Sequence, residues 1–194
     1  MAFNVNDFIS NGLEYGGARP ALFDVTITPP AIVGLSQESV AKLTFMCQAA
    51  NLPPSQMASI EIPYFGRKIK IAGERTFSDW QLTILNDEDF KVRSLFEKWS
   101  NALNSLEGNQ RGQGLNVENY KADMEVTQYG KDGNAIRSYI VIGGFPTDIS
   151  AIDLNWNTTG SVETFTVGIA YDYWLPANET AIYGGDNSYA DLAV

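Results

Sequence analysis

A two-residue alternation of apolar and polar side chains dominates this chain and restricts it to a β-rich fold. Successive side chains of a strand point to opposite faces, so the alternation predicts strands with one buried and one solvated face. Residues 22–28 and 120–127 follow the pattern. It is longest in residues 162–174, where five large apolar residues share one parity: Phe165, Val167, Ile169, Tyr171 and Tyr173.

Turn residues separate these stretches from further predicted strands. Pro29-Pro30 and Pro53-Pro54 bound a predicted strand at residues 42–49. An Asp132-Gly133 pair predicts a type I′ hairpin turn. Four further strands are predicted: two within residues 59–86, one at 135–142 and one at 148–156.

One segment has a helical period instead. Between Asp87 and Leu106 the apolar residues recur at spacings of three and four, which places them on one face of an amphipathic helix. Asn86 or Asp87 is a candidate N-cap, and Gly108 marks the expected end. Many short strands with one long amphipathic helix favour a mainly β fold, a β-sandwich or barrel with a helix packed on it.

The length of 194 residues fits one domain with short extensions. We expect an N-terminal arm over residues 1–17, the β domain over 18–175 and a C-terminal tail over 176–194. The first residues lack the basic and apolar regions of a secretory signal peptide, and no apolar run approaches the ~20 residues that span a bilayer. We therefore expect synthesis in a reducing cytoplasm and no stable membrane insertion.

The chain offers little catalytic chemistry. It contains no histidine and a single cysteine, Cys47, which excludes Ser-His-Asp and Cys-His mechanisms and any cysteine cluster for zinc. Cys47 lies in an apolar run, where a thiol is not activated. The acidic run 87–89 is expected to complement a helix N-terminus rather than to bind a cation. We expect no enzyme, cofactor or metal, although carboxylates distant in sequence could still pair in space.

The charge is uneven along the chain. A net charge of −10 argues against binding to nucleic acid phosphates, and it equally fits a simple solubility role. A basic cluster lies next to Tyr64 and Phe65. It could be a solvated hairpin face, a contact with a polyanion or a contact between subunits. The cluster consists of Arg67, Lys68, Lys70 and Arg75.

Several ordered motifs resemble the tail tube protein of contractile-tailed bacteriophages. The run from Glu61 to Trp80 is the most distinctive, with Pro63-Tyr64-Phe65-Gly66-Arg67-Lys68 and Arg75-Thr76-Phe77 inside it. The run Asn86-Asp87-Glu88-Asp89-Phe90, followed by Phe96 and Trp99, is also similar. The resemblance spans residues 18–175 and is most specific over 49–99.

The resemblance implies hexameric rings that stack into a hollow tube, with strands of the six subunits forming a central β-barrel. It implies a structural virion protein, assembled in the host cytoplasm, that works with tail sheath, baseplate, tape-measure and terminator proteins. DNA would pass through on ejection without specific binding. We expect the segment 52–77, with Arg67, Lys68, Lys70 and Arg75, to reach the next ring. The candidate lumen-facing residues are Lys121, Asp123, Glu125, Thr127, Thr164, Thr166 and Asp172.

Two other readings remain open at this point. A tube subunit of a type VI secretion-like or bacteriocin particle would differ in cargo but not in physical character. A monomeric β-sandwich binding module could show the same strands and aromatic residues, but it would not polymerise.

Overall fold

The computed structural model of the chain describes residues 17–34, 37–112 and 116–177, together with Ser10. Most of the predicted arm and tail lies outside these residues, so both remain predictions. Within the described part, no helix is long and apolar enough to cross a membrane.

Nine antiparallel strands in the described part form two joined sheets and a separate hairpin. The first sheet has the order β1 (Phe23–Ile27), β6 (Ala122–Tyr129), β7 (Ala135–Ile149) and β9 (Tyr173–Pro176). The second sheet begins with residues 145–149 of β7 and continues through β8 (Thr164–Ala170), β5 (Trp80–Leu85) and β2 (Cys47–Ala50). The hairpin consists of β3 (Gln56–Tyr64) and β4 (Arg67–Thr76).

The core is built from the strand faces that the alternation predicts. Trp80, Leu82 and Ile84 of β5 are buried, as is the Phe165 parity of β8 up to Ile169. In the first sheet, β1 and β6 bury a matching set: Val25, Ile27, Ala122, Met124 and Val126. These side chains form one hydrophobic cluster, and the mainly β fold predicted from the sequence is thereby confirmed.

Helices complete the domain. A 3₁₀ turn at Ala31–Val33 precedes α1 (Gln37–Met46), and a four-residue helix α3 (Val117–Tyr120) precedes β6. The long amphipathic helix is α2 (Lys91–Leu103), which adds Val92, Leu95, Phe96 and Trp99 to the core.

The predicted boundaries of α2 were wrong at both ends. The helix begins at Lys91, because Phe90 has a left-handed φ of 51°. Asn86 is buried instead, where its backbone N–H donates to the carbonyl of Glu163 at 2.8 Å. The helix ends at Leu103, since Asn104 is extended with φ −152°, four residues before Gly108.

Several strand predictions were also wrong. Residues 42–46 are helical; Val40, Leu43 and Met46 recur every three residues, a helical spacing, and Leu43 is buried. The segment 59–86 contains parts of three strands rather than two. Residues 150–163 contain no strand, so the strand predicted at 148–156 is wrong beyond Ile149, and Trp156 is fully exposed.

Two details of strand connection differ as well. The long alternation of 162–174 breaks at residues 171–172 into β8 and β9. At the β6–β7 turn only Gly133 has positive φ, at 79°, so neither Lys131 nor Asp132 has the left-handed conformation that a type I′ turn requires.

Candidate assembly surfaces

The β3–β4 hairpin is a ribbon that projects into solvent. Its residues are exposed except for the half-buried Gly73, and it pairs with no other described strand. Isolated two-stranded hairpins are marginally stable in water. This ribbon therefore has the character of a surface that a partner covers.

One face of the hairpin is apolar. Ile60 lies opposite Ile71 and Ile62 lies opposite Ile69, and directly opposed residues share a face. These four side chains are each about half exposed, between 45% and 54%. Contiguous exposed apolar surface marks interaction sites. The isoleucines repeat with a period of two in the sequence, but that pattern does not show that the face they share is exposed.

The tip of the hairpin presents an aromatic pair. Phe65 is 92% exposed, and its ring meets that of Tyr64 edge-on with centroids 4.7 Å apart. Phe65 and Gly66 both have positive φ, 43° and 78°, the signature of a type I′ turn. Asn is much better suited than Phe to the first of these positions. The tip thus places an exposed Phe at a position whose left-handed backbone conformation is unfavourable for Phe.

The predicted basic cluster is divided between the two faces of the hairpin. Arg67 lies opposite Tyr64 at the end of the isoleucine face. Lys68 and Lys70 lie on the other face, where the Nζ atom of Lys68 is 2.7 Å from Glu61 Oε2. Arg75 lies opposite Met57 near the base. The four cations therefore surround the ribbon instead of forming one patch.

Three hydrogen bonds fix the base of the hairpin to the sheets. The indole N–H of Trp80 donates to the Asn51 carbonyl at 2.5 Å. The Pro54 carbonyl accepts from the Tyr171 hydroxyl at 3.3 Å and from the Trp174 indole at 3.2 Å. The ribbon is thus anchored at its root while its tip extends away.

The outer face of the second sheet is polar and free of cations. Across β5 and β8, Thr83 lies opposite Thr166 and Gln81 lies opposite Gly168. A Cβ at Gly168 would lie 3.1 Å from the Gln81 amide nitrogen, so the Gln81 side chain would have to shift slightly to accept it. All residues of β2, β5, β8 and 145–149 are described, and none is Lys or Arg.

The same sheet has two open edges. Among the described strands, β2 pairs only with β5, and residues 145–149 of β7 pair only with β8. Unpaired edge N–H and C=O groups are templates for another strand. Each chain therefore carries one free edge at either side of the second sheet.

The candidate lumen residues fall into three groups, of which two lie on strands. Thr164 and Thr166 lie on the outer face of the second sheet. Asp123, Glu125 and Thr127 lie on β6 in the first sheet, and Thr127 is only 7% exposed, with its hydroxyl 2.8 Å from that of Ser138.

Lys121 and Asp172 are brought together, with the Lys121 Nζ atom 2.6 Å from Asp172 Oδ2. This ion pair lies beside Gly143, whose φ is 70°. The Gly143 N–H donates to Asp123 Oδ1 at 3.1 Å. The ion pair connects the start of β6 to the link between β8 and β9.

The surroundings of Cys47 and of the acidic run 87–89 differ from those of a catalytic or metal-binding group. Burial raises the pKa of the Cys47 thiol to about 11, which removes its thiolate near neutral pH. Lys42 of α1 contacts Asp87 at 2.5 Å and Asp89 at 2.6 Å, and its hydrogen bonds lower the pKa of both carboxyl groups. Over the described ranges, no three His, Cys, Asp or Glu residues are grouped to hold a metal ion.

Comparison with known sequences gives a consistent result. A family model described as phage tail tube protein matches residues 18–177. The chain is 35% identical over 170 residues to the tail tube protein gp19 of Enterobacteria phage T4, covering 87% of this chain and 98% of that protein. It is 23% identical over 168 residues to the tail tube protein of Serratia phage KSP90, covering 86% and 93%.

Solved structures show the same fold. A chain in the extended-state sheath/tube terminator of an extracellular contractile injection system, PVC, matches with a TM-score of 0.58, 14% identity and coverage of 84% and 97%. A chain of the PVC sheath–tube complex matches with a TM-score of 0.53, 14% identity and coverage of 90% and 98%. The resemblance seen in the motifs is confirmed, and the chain belongs to the phage tail tube protein family.

Proposed function

We propose that this chain is the subunit of the inner tube of a contractile phage tail. Copies would form hexameric rings that stack into the conduit for DNA ejection. The observation that carries the proposal is the second sheet, which combines two open edges with an outer face that has no Lys or Arg. Membership of the tail tube family and the likeness to contractile-system structures support it.

Ring closure follows from the two open edges. If β2 of one copy pairs with residues 145–149 of the next, each copy uses both edges and leaves none free. Repeating one such head-to-tail contact by a rotation that closes produces a ring. The number six comes from the family resemblance.

The outer face of the second sheet suits the channel wall. Duplex DNA binds proteins mainly through cationic contacts to its phosphates, so a wall without Lys or Arg allows DNA to slide. We infer that Thr164 and Thr166 line the lumen together with Gln81 and Thr83. We place Lys121, Asp123, Glu125, Thr127 and Asp172 outside the lumen, since they belong to β6 or to its contact with the β8–β9 link.

The hairpin supports stacking of the rings. Its isoleucine face is exposed in the single chain and would be covered by an adjacent ring. The cations Arg67, Lys68, Lys70 and Arg75 would set the position of that contact by charge. The double change Arg67→Glu with Lys70→Glu should therefore block polymerisation, and normal polymerisation would contradict an inter-ring role for the cluster.

The remaining parts of the proposal follow from this role. The protein would be a structural virion component without catalytic activity, made in the host cytoplasm. Its partners would be its own copies and the sheath, baseplate, tape-measure and terminator proteins. The identity to phage proteins favours a phage tail over an injection particle with another cargo, since the likeness to the injection system shows only a shared fold.

Negative-stain electron microscopy of the purified protein across a concentration series tests the proposal. Hollow filaments or stacked rings with six-fold end views are expected. If the protein stays monomeric at high concentration, purified baseplates are added as seeds. Failure to extend them as well would contradict the tube and favour a monomeric binding module.

A further inference from the structure

The two ends of the second sheet carry different projections. At one end Ala50, Trp80 and Ala170 lie close together by register, and the hairpin emerges there through residues 51–55 and 77–79. At the other end the chain connects Ile149 to Thr164. This connection is the 150–163 loop. The hairpin and this loop therefore extend from opposite ends of the sheet.

The 150–163 loop exposes large apolar side chains. Trp156 is 100% exposed, and Leu154 and Val162 are 81% and 67% exposed. The loop borders an open cavity of about 520 Å³ next to Trp156. Exposed Trp residues with an adjacent concavity are typical of binding hot spots. The single chain gives this indole no packing role of its own.

The charges of the two projections are opposite. The hairpin, residues 56–76, has four Lys or Arg and two Glu, a net charge of +2. The 150–163 loop has Asp153 and Glu163 and no Lys or Arg, a net charge of −2. Complementary charge favours association of the two surfaces and fixes their register.

We propose that the hairpin tip of one copy, Tyr64 and Phe65, docks on the 150–163 loop of a second copy, with Phe65 against Trp156. This inference rests on the proposed function and names the surface that receives the hairpin in the next ring. A contact between opposite ends of identical chains is head-to-tail and repeats without limit, as a growing tube requires. It explains why an exposed Phe occupies the left-handed position of the tip, where Asn would suit the turn better.

A double-mutant cycle on the full chain tests this contact. The variants are Phe65→Asn, Trp156→Ala and the two combined, and the measured quantity is the critical concentration for filament formation, by sedimentation. Phe65→Asn places Asn-Gly in a type I′ turn and so preserves the hairpin. Trp156→Ala removes a fully exposed side chain and so preserves the fold. The matched control is Asn157→Ala in the same loop.

Each single change should raise the critical concentration at least about tenfold, as loss of an interface anchor does. The double change should raise it little further, because contacting residues are not additive. Asn157→Ala should behave as wild type. If the wild-type chain forms filaments and Trp156→Ala assembles at the same critical concentration, the docking contact is overturned while the tube is not. Single effects that multiply in the double variant would have the same meaning. A wild-type chain that assembles neither alone nor on purified baseplates would overturn the tube and this contact together.

Discussion

Replacing Ile62 and Ile69 by serine should weaken tube assembly far more than it weakens the fold. The two side chains oppose each other on the apolar face of the hairpin and are 45% and 51% exposed in the single chain. Full burial of an isoleucine contributes about 1.5–3 kcal/mol, so covering the exposed half of each contributes about 0.7–1.5 kcal/mol. The pair therefore contributes about 1.5–3 kcal/mol per subunit to the contact between rings. That corresponds to a critical concentration higher by about 10-fold to 150-fold.

The subunit itself should change little. Losing a cross-strand apolar pair costs about 0.2–1 kcal/mol, which thermal unfolding of the unassembled variant would measure. Sedimentation across a concentration series gives the critical concentration. Ser59→Ala with Ala72→Ser, an opposed pair on the other face, is the matched control. Assembly of the serine variant at the wild-type concentration would refute burial of this face.

Three further predictions concern the single chain. Gly143→Ala should destabilise the chain by about 1–3 kcal/mol in urea unfolding, because φ is 70° and the new Cβ would collide with Asp172. Gly133 has a similar φ of 79° but open space around it, so Gly133→Ala should cost less. Equal costs for the two changes would contradict the collision. Lys42→Gln should lower the unfolding midpoint at neutral pH, and its difference from wild type should shrink as the pH falls below about 3.9. The two carboxyl groups that Lys42 contacts have lowered pKa values in the fold, so their contribution to stability is present above the unfolded value and is lost as the pH falls through the folded values. A difference that persists in acid would contradict that contact. Cys47 should react with a thiol reagent at pH 8 about 100-fold more slowly in the native chain than in urea, because burial raises the pKa of its thiol to about 11. Equal reaction rates in the two conditions would contradict the burial of Cys47.

The strands that the sequence predicted well are those that border the core on one side. In β5 and β8 each apolar residue of one parity meets the core, so the period of two is preserved along the strand. The α1 helix was missed because only Leu43 among the described side chains of its core-facing side is fully buried, and its apolar spacing also fits a short strand. The start of α2 could not be predicted, since Asp87 and Asp89, which precede it, bind Lys42, 45 and 47 residues away in sequence.

The assembly surfaces were only partly predictable. The basic cluster was visible in the distribution of charge, the tip motif was visible as a resemblance, and the alternation around Ile69 was visible as a pattern. Sequence alone does not show that nothing packs on that apolar face, because a buried and an exposed strand can have the same residues. Trp156 illustrates the same limit: its residue type suggests the core, while its loop position exposes it fully.

A cryo-electron microscopy reconstruction of the assembled protein would show the contact between neighbouring chains and the wall of the channel. We expect a hollow tube with six chains per ring, in which β2 of each chain pairs with residues 145–149 of the next and the face of Thr83 and Thr166 lines the channel. A closed or solid assembly would contradict it. A channel lined by the first sheet, with Lys121 facing the DNA, would contradict it equally.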